Sequence, residues 1–231
     1  MLVLLNLCNK NILGKKGIIL EQLIVAMPNV GKASEIPSPD EYDYWGLREK
    51  RIFYIDEYID EDCKPLIELS KAIVRLNFEE KDIPVDELEP IYLFLDTPGG
   101  DLTQSNYFCD LIKSSRIPIY TVAMGMAMSA GFLIFISGKK RYAFPHSQLL
   151  VHSGSAQLAG TAEQIEEAQK NYKKTLEDMK KYILENTEID EKTFNKNRSK
   201  DWYLSADELV KYKVVDELIT DFSTLFDGDE E

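Results

Sequence analysis

Histidine and cysteine are scarce in this 231-residue chain, with two of the first and three of the second. Any imidazole chemistry must therefore use His146 or His152. Cys8, Cys63 and Cys109 are too scattered for a zinc pattern and too few for a disulfide framework. An odd number of thiols suits a reducing cytoplasm, and each is expected as a buried free thiol. Basic residues are also short: 27 Lys and Arg against 40 Asp and Glu leave a formal charge of −13. That balance argues against nucleic acid as the main partner, because phosphate binding needs clustered Lys and Arg. It also disfavours adsorption to anionic membranes. No apolar run approaches the roughly 18 residues of a membrane-spanning helix. The opening MLVLLNLC lacks a basic region and its apolar run stops at Asn6, so no secretory signal is expected.

What is present is enough apolar material, 44% of the residues, to build a sizeable core. Residues 1–40 read as an N-terminal extension or propeptide. Two apolar stretches, Leu2–Leu5 and Ile18–Met27, precede a linker carrying Pro28, Gly31, Pro37 and Pro39. Residues 41–222 form the main domain, and 223–231 an acidic tail. Within the domain, strand-like runs at Arg51–Ile55, Ile91–Asp96 and Ile117–Ala123 alternate with helical patterns at Asp60–Leu76, Leu102–Ser114 and Ala127–Ser137. Arg141–Phe144 and Gln148–His152, separated by Pro145-His146-Ser147, read as a hairpin. The longest helical signal carries Ile165, Ala168, Tyr172, Leu176, Met179 and Ile183 at steps of three and four, with Thr161 and Gln164 as a capping box. About 25 residues at 1.5 Å each make a helix of roughly 37 Å, long enough to protrude from its domain. The alternation predicts an α/β fold.

Three segments carry candidate chemistry. Ser129 lies in Gly125-Met126-Ala127-Met128-Ser129-Ala130-Gly131, between a strand and an apolar helix. A serine on such a bend is held sharply, and the helix N-terminus beyond it offers free N–H groups to a developing oxyanion. The pattern approaches G-x-S-x-G, with Ala127 in the place of the first glycine. A plain helix cap is the competing reading. His152 ends the run Gln148-Leu149-Leu150-Val151 and points out of a strand end, as a structural or a catalytic histidine would. Asp96-Thr97-Pro98-Gly99-Gly100-Asp101 follows a buried strand and suits either an oxyanion hole or a tight turn. No Walker lysine and no G-x-G-x-x-G accompany it, so nucleotide binding is disfavoured. A triad also needs a carboxylate. Asp201, beside Trp202 and Tyr203, is a candidate that spacing alone does not select.

Together these segments resemble the proteolytic subunit of the Clp protease. The resemblance runs from Tyr42 to Phe222 and rests on four motifs in order: the strand and PGG turn (Ile91–Gly100), the serine segment (Gly125–Gly131), KRYAFPHSQLLVH (Lys140–His152) and DWYLSADELVKYKVVDELI (Asp201–Ile219). It implies a repeated β-β-α superhelix of the ClpP/crotonase type, with the long helix as a protruding handle. It further implies Ser129 as nucleophile, His152 as general base, Asp201 as orienting carboxylate, and the N–H groups of Gly100 and Ala130 as oxyanion hole. No metal or cofactor is implied. Two stacked heptameric rings are, with unfolded protein substrates delivered by a Clp-type AAA+ ATPase that spends the ATP, in the cytoplasm. His146 stands where the family usually has asparagine and receives no role. Ala130 stands where the family has methionine, and Ser153-Gly154-Ser155-Ala156 replaces its Gln-Pro and glycine-rich strand. The first 40 residues do not match the family's short axial loops.

Three other readings remain. A non-enzymatic ring subunit or scaffold would fit the altered neighbours of Ser129 and His152. A crotonase-like acyl-CoA enzyme would use a glycine turn without needing the triad. A membrane-associated Ser–Lys peptidase would need a spanning helix.

Overall fold

The computed structural model describes residues 38–226. The expected extension up to Pro37 and the acidic tail from Asp227 onward lie outside the described residues. The chain divides after Lys50 into two compact units. The first contributes helix α1 (Pro39–Glu49), started by a Ser38–Glu41 capping box with proline in its first turn. Pro39 therefore begins a helix rather than extending a linker, because its missing N–H falls where a helix needs none.

The second unit is built on one seven-stranded sheet. Its strands are β1 (Ile52–Ile55), β2 (Ile91–Thr97), β3 (Ile119–Met128), β4 (Lys140–Ala143), β5 (Gln148–Val151), β6 (Trp202–Leu204) and β7 (Glu217–Leu218). The path β1-β2-β3-β4-β7 is parallel throughout. β5 joins β3 in parallel and β6 runs antiparallel to β5. Connecting helices are α2 (Lys64–Glu79), α3 (Leu102–Ser114), α4 (Ala130–Ile136), α5 (Ala162–Asn186), α6 (Glu191–Asn197) and α7 (Ala206–Lys211). The result is the mixed α/β architecture that the strand–helix alternation predicts.

Side-chain alternation along the strands fills two cores, as a parallel sheet covered on both faces requires. Phe53, Ile55, Ile91, Leu93, Leu95, Ile119 and Ala123 face the larger core under α2, α3 and α4. Phe94, Val122 and Tyr142 face the other side, where Ile219 and Leu225 cover them. Each fully buried Phe or Leu contributes about 1.5–3 kcal/mol of transfer free energy. α5 packs on the core chiefly near its end, where Ile183 is its one buried residue beside Met179, Tyr182 and Leu184, whereas Ile165 is exposed.

Two expectations need correction. Lys140–Ala143 and Gln148–Val151 do not form a hairpin. Both run parallel to β3, β4 beside Tyr120–Ala123 and β5 beside Met126–Met128. The Pro145-His146-Ser147 turn is a sidestep, pinned where the Ser147 hydroxyl donates to the Ala123 carbonyl at 2.6 Å. Residues 127–129 are not helical either. β3 continues to Met128 because β5 pairs with its last turnless stretch, and α4 starts only at Ala130. Within that extension the register against β2 slips, Leu95 facing Ala123 but Thr97 facing Ala127. The Asp96 carboxylate holds the resulting bulge by accepting from the Met126 N–H at 3.0 Å.

Candidate active site

Three strand ends meet at one edge of the sheet. Ser129 directly follows β3, His152 directly follows β5, and Asp201 directly precedes β6. The ladders make this arrangement necessary. β5 runs parallel to β3 with Met128 facing Leu150, so both strands end on the same side. β6 runs antiparallel to β5 with Trp202 facing Val151, which sets Asp201 opposite His152. Two further backbone bonds lock the ends: the Ser129 N–H donates to Leu150 at 3.0 Å and the Ser153 N–H to Arg198 at 3.0 Å.

The side chains follow. Ser129 Oγ and His152 Nε2 are 2.7 Å apart, a hydrogen bond. His152 Nδ1 lies 3.4 Å from Asp201 Oδ1, an ion-pair distance looser than an ordinary N–H···O bond. The Asp201 side chain is 64% exposed, against 28% for His152, so water competes for the carboxylate. His146 is exposed in the turn between β4 and β5, three residues beyond the end of β4.

Ser129 has φ +54° and ψ −118°, a left-handed conformation that a residue with a side chain adopts only when its surroundings impose it. The serine occupies the N-cap position of α4, yet its hydroxyl makes no capping bond. The plain helix-cap reading is thus set aside by geometry: the hydroxyl is turned to His152 instead. Such strain costs on the order of 1–3 kcal/mol, supplied here by the β3–β5 ladder and the wholly buried helix beyond.

The Pro98-Gly99-Gly100 turn lies against this bend. A Cβ placed on Gly99, whose φ is +93°, would stand 2.4 Å from Met128 O, 2.9 Å from Ala130 N and 3.0 Å from Ser129 Cβ. Only glycine allows that approach. The turn is fixed from outside by Ile59, whose N–H donates to Gly99 O at 2.9 Å while its carbonyl accepts from Asp101 N at 2.6 Å. In a trans peptide the C=O and N–H point oppositely, so holding Gly99 O on Ile59 turns the Gly100 N–H away from it. The same logic applies at Ala130. Ser129 O accepts from Phe132 N at 3.0 Å inside the helix, so the Ala130 N–H points back out of the helix start. Neither N–H finds a backbone acceptor among the described residues.

Sequence motifs pointed to Ser129, His152, Asp201, Gly100 and Ala130 as candidates but gave no sign of the contacts around them: Asp96 on the bulge, Ile59 on the turn, and Thr97, whose hydroxyl accepts from Gly99 N at 3.1 Å. Among the described residues no cluster of His, Cys, Asp and Glu is arranged to hold a metal ion, and no helix is long and apolar enough to cross a membrane.

An α/β chain with a mostly parallel sheet, whose converging strand ends pair a strained serine with a histidine, defines a narrow structural class. The family described as Clp protease matches residues 42–222, and the chain belongs to that family. Among curated relatives, ATP-dependent Clp protease proteolytic subunit 2 of Treponema denticola is 33% identical over 153 residues, 65% of this chain and 76% of the relative. ATP-dependent Clp protease proteolytic subunit 1 of Corynebacterium jeikeium is 30% identical over 190 residues, 81% of this chain and 97% of the relative.

Proposed function

We propose that this protein is a serine endopeptidase that cuts unfolded polypeptides into short peptides, with Ser129 as nucleophile. The observation that carries the reading is the 2.7 Å bond from Ser129 Oγ to His152 Nε2 at a bend whose strain serves no capping role. His152 takes the hydroxyl proton as Oγ attacks a peptide carbonyl. Asp201 orients the imidazole and stabilises its cation. The Gly100 and Ala130 N–H groups hold the tetrahedral oxyanion, each worth about 3–4 kcal/mol in comparable sites. The imidazolium then returns its proton to the leaving amine, and water, activated by the same base, hydrolyses the acyl-enzyme. The residues require no metal and no cofactor for this cycle.

Assembly completes the proposal. α5 reaches out with Ile165 exposed and Ala168, Tyr172, Leu176 and Met179 half-buried, a stripe suited to a second copy of the same helix. We place it at the contact between two stacked heptameric rings, with a Clp-type AAA+ ATPase delivering substrates and the complex residing in the cytoplasm. The Clp protease family match and the names of the relatives support these partners.

The test is labelling by a fluorophosphonate, read by intact mass, on wild type and Ser129→Ala with native mass taken on the same sample. One adduct per subunit, absent in the variant, is expected. A fourteen-subunit assembly that takes up no probe would sink the peptidase reading and leave a ring scaffold.

A further inference from the structure

We propose that Ser105 is a positioning residue that sets the spacing between the two oxyanion donors. The proposal rests on the reading of Gly100 and Ala130 given above. Ser105 lies on α3 and is completely buried, where a hydroxyl needs a partner to be tolerated. Its Oγ donates to the Ala130 carbonyl at 2.8 Å. Its own N–H donates to the Asp101 carbonyl at 3.1 Å, in the helical turn that opens directly after Gly100. One residue thus bridges the two elements that carry the donors: Gly100 at the entry to α3, and Ala130 at the entry to α4.

Ala130 is held on both flanks. The peptide before it is fixed through Ser129 O and Phe132 N, and the peptide after it through Ser105. The second restraint matters because α4 has only seven residues, too few for an isolated helix to hold its first turn rigid. Without the Ser105 hydroxyl the Ala130 carbonyl loses its tie to α3, and the first turn of α4 can shift by a fraction of an ångström within its packed surroundings. The Ala130 N–H would then move with respect to Gly100, while the Ser129–His152 pair would stay in place. The effect belongs in the transition state rather than in substrate binding.

The experiment uses the assembled full chain and the variants Ser105→Ala, Ser105→Cys and Ser105→Thr. Fluorophosphonate titration counts competent subunits, and kcat, KM and the inhibition constant of a peptide aldehyde are expressed per titrated site. The aldehyde forms a hemiacetal on Ser129 whose oxygen needs the same two donors. Ser105→Ala should lower kcat about three- to tenfold, the scale of one neutral hydrogen bond, and weaken the aldehyde equally with KM unchanged. Ser105→Cys fills the volume but donates weakly and should behave like alanine, keeping the test open should the smaller residue impair folding. Ser105→Thr retains the hydroxyl and should retain kcat. Wild-type turnover per titrated site in both Ser105→Ala and Ser105→Cys, or a change in KM alone, overturns the proposal while leaving the peptidase reading intact. A wild-type chain that takes up no probe overturns both.

Discussion

Replacing Gly99 by alanine should separate chemistry from binding at this site. The new methyl would stand 2.4 Å from Met128 O and 2.9 Å from Ala130 N, where carbon normally keeps more than 3 Å. Both contacts are backbone, so relief requires the turn and the bend to part by on the order of 1 Å. A misplacement of that size costs roughly 100-fold in rate, and loss of one aligned oxyanion donor about 100- to 1,000-fold. The φ of +93° adds a strain penalty of about 1–2 kcal/mol for a residue with a Cβ. We expect kcat/KM for a fluorogenic peptide to fall at least ~100-fold by these estimates, with KM within about threefold of wild type. The urea midpoint should drop by the equivalent of roughly 1–3 kcal/mol. Gly46→Ala is the control: nothing lies within 4 Å of its added Cβ, so kinetics should be untouched. Retention by Gly99→Ala of more than about a third of wild-type kcat/KM, on an intact assembly, would refute the assignment of this turn.

Asp201→Asn should lower kcat by about 10- to 1,000-fold, less than the roughly 10⁴-fold of a buried triad aspartate, because this carboxylate is 64% exposed and 3.4 Å from the imidazole; steady-state peptide hydrolysis decides it. Arg51 and Glu80 pair at the C-terminal end of α2 with side chains only 16% and 4% exposed, so Arg51→Met should cost about 3–5 kcal/mol in urea unfolding. Arg51→Met with Glu80→Leu should recover most of that loss, since no buried charge is then left alone. Burial raises the Cys63 thiol from its ordinary 9.0 to about 11, so native protein at pH 8 should resist iodoacetamide at this position, as peptide mapping would show. The folded state holds that proton more tightly than the unfolded chain. Its contribution to stability is therefore full below pH 9.0 and declines as pH rises towards about 11.

Local chemistry made much of this fold readable. α3 begins and ends where the sequence predicts because Asp101 caps it and Gly99-Gly100 stops the strand before it. The hairpin expectation failed for a physical reason: a turn such as Pro145-His146-Ser147 fits a reversal or a sidestep, and only pairing to β3 distinguishes them. Ala127 and Met128 looked helical because alanine and methionine are good helix formers with little strand propensity. β5 and the Asp96 carboxylate impose the extended form from a distance. At the candidate site, Ser129 and His152 stood out because motif and scarcity both pointed to them. Asp201 was one of 40 acids, and only its place beside a known motif selected it. Ser105 and Ile59 were invisible. Their contributions run through one hydroxyl and one peptide group of ordinary helix and loop residues, and only tertiary packing gives these a direction.

The order in which the chain is synthesised gives the β3–β5–β6 ladder a further meaning. Ser129 is made first, His152 next, and Asp201 with its strand after both. The bend at Ser129 depends on β5 for its restraint, and β5 gains its second neighbour only when β6 arrives. Contacts between segments so far apart in the chain form late, after the local helices. A ribosome-bound intermediate would therefore carry the proposed nucleophile without the geometry that would arm it. On the proposed reading, a subunit of this design gains its cleaving geometry only as that strand pairing completes.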